Sequence, residues 1–339
     1  MKVVTMGEMM MRLMPAGNLR FEQASSFDVF YGGDESIVAV SLARFGIHSM
    51  YVTKLPDNPI ARIAVNKLRE QGVDTSCITW GGERMGINFY ENGVSMRPSN
   101  VVYDRKYSSI SEANPEDFDF NAVFSQADWF HVAGITPAIS DSAALLTERA
   151  LACAKDHNVT VSVDLNYRSK LWSSEKARSV MIPLMRYVDV CIGNEEDAEK
   201  ALGFSPENTD VESGKLDING YKKMFSLLKE RFGFKIIAST LRESYSASDN
   251  GWSALLYDGK EFYHTKKFEI RLVDRGGGGA AFSAALIYGT LNGFSLTKTG
   301  DFAAAASALK QTVLGDFNLI TVDEVMDLME GDVSGRVKR

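Results

Sequence analysis

The sequence predicts an α/β fold, an open and mostly parallel sheet with helices on both faces, accompanied by a small second sheet. Three observations lead there. Short β-branched runs alternate with amphipathic segments along most of the chain, and glycines close many of those segments. Two aromatic-rich stretches break the alternation.

Taken in order, KVVTMGE (2–8) reads as a buried strand ending at Gly7. SIVAVSLARFG (36–46) has helical spacing with Gly46 as its stop, and leads into the strand-like HSMYVTKL. IARIAVNKLREQG (60–72) is a helix with a terminal glycine. DWFHVAG (128–134), SDSAALLTERALACAKDHN (140–158) and VTVSVDLN (159–166) give strand, helix, strand. The alternation continues through SSEKARSVMIPLMR (173–186, helix), VDVCIGN (188–194, strand), EEDAEKALG and GYKKMFSLLKERFG (helices) and KIIAST (235–240, strand). Residues 13–31 and 79–112 lack long helical periodicity, and MGINFYENG and NVVYDRKYSSIS within them read as short strands. They are expected to form a β lid over a core built from 1–12, 32–78 and 113–339, with the site at the carboxyl ends of the main strands.

A chain of 339 residues with 45% hydrophobic content can bury one large core, or one core plus a small accessory unit. Its net charge of −7 argues against a general nucleic-acid binder, which needs a basic face. The basic tail VSGRVKR is short enough to be a solvated end. Cys77, Cys153 and Cys191 lie far apart without CxxC spacing, so neither a disulfide framework nor a zinc site is indicated. No apolar run spans a bilayer and the N-terminus lacks signal-peptide features; a cytoplasmic protein is expected.

The run Gly276–Gly279 stands between FEIRLVD and AAFSAALIYGTL. Glycines allow positive φ and turn several N–H groups toward one point, and the following helix N-terminus adds partial positive charge, so an anion is favoured there. The two residues after the glycines, Ala280 and Ala281, cannot move a proton. YGGDES (31–36) is a second glycine turn opening a helix, in which Asp34 or Ser36 could act as N-cap. DLNYRSKLW sets Asp164, Asn166 and Arg168 past a strand end, as a solvated loop also would. In GNEEDA, Asn194 and a carboxylate cluster open a helix, an ordinary dipole arrangement. The four histidines share no ligand spacing, and His131 reads as a core histidine; no metal ligand is assigned.

Together these segments resemble the ribokinase-like (PfkB) carbohydrate kinases, and among them the 2-keto-3-deoxygluconate kinases. GEMMMRLMP, FDVFYGG, VAVSLARFG, VTKLPDNP, VVYDR, DWFHVAGITPA, DLNYRSKLW, CIGNEEDA, ASTLRES, LVDRGGGG and ALKQTVLGDFN carry the resemblance over nearly the whole chain. It implies a ribokinase-like three-layer α/β/α sandwich with a β-sheet lid that also serves as the dimer contact. It further implies transfer of the γ-phosphoryl group of ATP to a sugar-acid hydroxyl, with Mg2+ and in many members K+. Gly277, Gly278 and Gly279 would form the anion hole. Gly33, Asp34, Ile37, Asn88, Tyr103, Arg105 and Arg168 would face the substrate, while Asn194, Asp197, Ser239, Thr240 and Arg242 would lie along the nucleotide. A guanidinium suits a carboxylate substrate because its planar fork can donate two bonds.

Several positions depart from the family pattern. Ala280 stands where the family has its catalytic Asp, Ile37 where it has a sugar-binding Asn, Asp34 where it has a small residue, Asn88 where it has a Tyr, and Ala61 where it has a Gly. These departures are expected to cluster at the ligand, as in a pocket altered by engineering or by selection for a non-kinase role. Three readings follow: a sugar-acid kinase scaffold of low or absent activity, a remodelled pocket for a less polar ligand with Asp34 as acid or base, and a pseudokinase sensor.

Overall fold

The computed structural model describes residues 1–206 and 217–331, so the basic tail lies outside the described residues. Nine strands of these residues form the main sheet. Six run parallel in the order His48–Val52, Lys2–Met6, Trp129–Ala133, Thr160–Asp164, Val190–Ile192 and Ile236–Ser244. The sheet continues antiparallel through Asp249–Tyr257, which pairs with both Phe262–His264 and Phe268–Arg271.

The alternation of side chains divides the core between two faces. Val4, Met6, Phe130, Val132, Val161 and Val163 join one buried cluster, which takes in Leu146, Met181 and Phe225 from helices Asp141–Asp156, Ser174–Leu184 and Ile218–Phe232. Val3, Trp129, Val190 and Ile192 join the other, with Ile37, Phe282 and Phe302 from helices Asp34–Arg44, Gly278–Leu291 and Leu296–Lys310. Strands covered on both sides need continuous apolar runs, and Trp129–Ala133 is buried at every position. The result is the three-layer α/β/α arrangement.

The second sheet has the order Asp28–Gly32, Met10–Met14, Gly86–Glu91, Asn100–Asp104. Its first segment straddles the core boundary drawn after residue 12, because the chain passes from one sheet to the other within Gly7–Met9. Register gives the sheet two distinct faces: Phe30, Arg12, Asn88 and Tyr103 form one row, and Val29, Leu13, Phe89 and Val102 the next. Arg12, Asn88 and Tyr103 line the cleft beneath; the other row points away from it.

Candidate active site

A cleft of about 490 Å³ lies between the small sheet and the carboxyl ends of the main strands. Three structural units build it: the glycine loop, the turn at Gly32–Asp34, and the loop following Thr160–Asp164. Of the residues expected at the site, all but Arg105 and Ser239 line it.

The glycine loop meets its neighbours closely. Gly277 has φ +79°, and a Cβ there would fall 2.8 Å from the backbone oxygen of Asp316 and 3.3 Å from Cγ2 of Ile37. Helix Gly278–Leu291 begins immediately afterwards, so the first-turn N–H groups have no carbonyl of their own helix to bond and remain available to an anion. Ala280 sits in that turn, lines the cleft, and packs in the same buried cluster as Ile37. Both apolar departures therefore line the cleft.

The turn at Gly33 opens helix Asp34–Arg44, and it is Gly33, not Asp34 or Ser36, that occupies the N-cap position. No side chain caps this helix: the Ser36 hydroxyl donates back to the Gly33 carbonyl at 2.9 Å, and Asp34 turns toward the cleft. Asp34 Oδ1 accepts a 3.1 Å bond from Asn166 Nδ2, while its Oδ2 is shielded from solvent without a partner. Burial pushes the Asp34 carboxyl up to about 6, against the opposing pull of Arg168 and of the Asn166 bond. Asp164 is held well above the usual carboxylate range by burial, then by the charges of Asp34 and Asp197. Arg168 opposes this, and the Ser283 hydroxyl donates to Asp164 Oδ2 at 3.4 Å.

At the other end Asn194 and Asp197 line the cleft as a capping box. Asp197 accepts from the N–H groups of Tyr167 (2.7 Å) and Asn194 (3.0 Å), so both its oxygens are engaged by backbone. Thr240 and Arg242 of Ile236–Ser244 line the cleft, as does Arg275, whose charge Arg242 faces. The Arg275 guanidinium is held below its usual range by burial first and then by Arg242, a pair of cations that a polyphosphate would relieve.

Arg105 does not line the cleft. It is spent on the buried carboxylate of Glu8, which accepts from both Nε and Nη2. Ser239 is buried, its hydroxyl on the Thr240 carbonyl at 3.3 Å, because side chains alternate along its strand and Thr240 takes the cleft side. Ala61 is likewise remote from the ligand: it lies buried in helix Pro59–Glu70, its N–H on the Asn58 cap. Of the five departures, Asp34, Ile37, Asn88 and Ala280 line the cleft and Ala61 does not. His131 is a core residue with its Nδ1 2.8 Å from Ser162 Oγ, and burial lowers it to about 3.

Several residues at the site carry no local sequence signal. Arg12 is buried with Nη2 2.9 Å from Asp274 and Nη1 2.9 Å from Asp316, and its guanidinium stacks 4.1 Å from the Tyr90 ring centroid. A Cβ at Gly276 would lie 2.8 Å from Arg12 Nη1, so the glycine admits this network. Under the loop the buried ammonium of Lys310 donates to the carbonyls of Gly315 (2.8 Å) and Val313 (3.2 Å), and burial pulls it down to about 8.

These groups fit nucleotide phosphates: backbone donors at a helix start, with Arg242 and Arg275 beside them. Among the described residues no three Asp, Glu, His or Cys side chains converge for a metal, so Mg2+ would be held chiefly through the phosphates. For K+ the fit is poor at the loop, since the carbonyls of Val313 and Gly315 already receive an ammonium. No described helix is long and apolar enough to cross a membrane.

A 2-dehydro-3-deoxygluconokinase of Thermotoga maritima has the same architecture, with a TM-score of 0.94 and 48% identity over 98% of this chain and 100% of that one. A 2-dehydro-3-deoxygalactonokinase of Haloferax volcanii is 33% identical over 98% of both chains. A Xylella fastidiosa fructokinase solved with bound ATP, at 20% identity and a TM-score of 0.77, covers 97% of this chain and 98% of its own, and shares the fold. The family model for pfkB carbohydrate kinases matches residues 1–320, and the chain belongs to that family.

Proposed function

We propose that the chain is a phosphotransferase of the 2-keto-3-deoxy sugar-acid type, working at low rate because position 280 lacks a carboxylate. The observation that carries this reading is a cleft that brings the phosphate-binding loop and the cationic side chains together around a position without its carboxylate. The glycine loop, Arg168, Tyr103, Thr240 and Arg242 all face the same space, while Ala280 offers only a methyl. Bound nucleotide would supply the phosphoryl group and Mg2+ would neutralise its charge. The chain's own part is positioning: backbone N–H groups of the loop hold the transferring phosphate, and Arg168 and Tyr103 orient the acid. Charged side chains around the cleft favour a polar ligand over an apolar one, although Ile37 and Ala280 line it too. The two named relatives act on 2-dehydro-3-deoxy acids differing in sugar configuration, so both acids belong in the assay. The test is ADP release from ATP with each acid, for the native chain and for Ala280→Asp. Nucleotide or acid binding with no turnover in either chain would favour a sensor.

A further inference from the structure

We propose that Asp34 is a catalytic residue of this chain, its carboxylate accepting the proton of the attacking hydroxyl in place of a carboxylate at position 280. The inference rests on the kinase reading above and assigns the base to a second element, the helix facing the glycine loop.

Placement comes first. Ile37 touches the glycine loop from helix Asp34–Arg44, and Asp34, three residues earlier, shares that helix face and lines the same cleft as Gly279 and Ala280. Asp164 stands on the other side, its Oδ2 3.9 Å from the point that a Gly279 Cβ would occupy. The orientation of Asp34 is fixed. Asn166 holds Oδ1 from a backbone with φ +36°, a left-handed conformation uncommon for a residue other than glycine. Oδ2 is left free of any bond, although buried carboxylate oxygens ordinarily have a partner. Asp34 makes no cap hydrogen bond and stands as an acidic residue of the first turn.

The charges facing Asp34 come from three elements. Glu35 neighbours it on its own helix, Asp164 ends the adjacent strand, and Arg168 follows in the loop. Burial raises the carboxyl to about 6 against the pull of Arg168 and the Asn166 bond, so at neutral pH it is mostly ionised and able to take a proton. In the step, the acceptor oxygen forms its bond to the γ-phosphorus while its proton passes to the Asp34 carboxylate. The bond from that phosphorus to the bridging oxygen breaks, and ADP leaves with the electron pair.

The test measures kcat and KM with ATP, Mg2+ and 2-keto-3-deoxygluconate between about pH 5 and about pH 8. The chains are native, Asp34→Asn, Ala280→Asp and the double variant, with ATP affinity and melting temperature as folding controls. Asn at position 34 keeps an oxygen for Asn166. The native kcat is expected to rise with pH through about 6. Asp34→Asn is expected to lower kcat by about 10²-fold or more with little change in KM, to abolish that limb, and to be rescued by Ala280→Asp. Native kcat in Asp34→Asn would overturn the assignment while leaving the kinase reading intact. So would an inert native chain whose Ala280→Asp variant turns over. Failure of every chain to turn over would defeat the kinase reading, and this inference with it.

Discussion

Glu35 shows how strongly single side chains are perturbed around the cleft. It is buried, with Oε1 accepting from the Ala133 N–H at 2.9 Å and the Thr136 hydroxyl at 2.6 Å. Burial, then the charge of Asp34, pushes its carboxyl up to about 8 from 4.5. The folded chain therefore holds this proton more tightly than the unfolded chain. The associated stability is complete below about pH 4.5 and is lost as pH rises through about 8. Glu35→Gln, which stays neutral, should be more stable than the native chain at about pH 8.5, by more than about 1 kcal/mol, with less pH dependence below. Urea unfolding at several pH values checks this; equal pH slopes in the two chains would contradict it. At this scale the sequence was partly legible. Glycines and the loss of the carboxylate at 280 could be read locally because their meaning lies in the backbone or in one position. The pairing of Arg105 with Glu8 could not, since it joins residues 97 apart and removes a cation from the expected substrate contacts.

Two elements cooperate at the glycine loop. Helix Gly278–Leu291 is apolar on all sides because it is covered both by the sheet and by Leu296–Lys310. The second helix ends at Lys310, whose ammonium ties the turn at Val313–Gly315 beneath Gly277. Lys310→Met would leave those carbonyls without their donor, so a loss of about 1–3 kcal/mol and weaker ATP binding are expected. Denaturation and titration calorimetry measure the two effects; an unchanged ATP affinity would remove Lys310 from the account. Helices and strands with strong periodicity were legible as elements, including Asp34–Arg44, Pro59–Glu70 and Asp141–Asp156. The antiparallel extension through Asp249–Tyr257 was not, because nothing in an isolated strand states which neighbour it will pair with.

At the scale of the whole molecule, the small sheet separates two environments. Its inner row closes the cleft with Arg12, Asn88 and Tyr103, while its outer row leaves Val29 and Val102 half exposed beside Leu13 and Phe89. An apolar row on an open sheet suits a second copy of the chain. A homodimer through this face is predicted, and V29D with V102D should yield monomers by sedimentation; an unchanged mass would refute it. Two strands of the small sheet, Gly86–Glu91 and Asn100–Asp104, were visible in sequence through aromatic-rich stretches without helical periodicity, but the registry with Met10–Met14 depends on contacts distant along the chain. The same distance hid the Arg12–Asp316 pair, 304 residues apart, which joins this sheet to the core at the cleft.

The central claim is that the proposed phosphoryl-transfer cleft lacks a carboxylate at position 280. Asp at that position would lie in the first turn of a helix, where the backbone N–H groups favour a negative charge, though beside Ile37. The most direct measurement is therefore the ratio of kcat for Ala280→Asp to that of the native chain, from ADP release with ATP, Mg2+ and 2-keto-3-deoxygluconate. A rise of about 10²-fold or more is predicted. Equal rates in the two chains would contradict the claim.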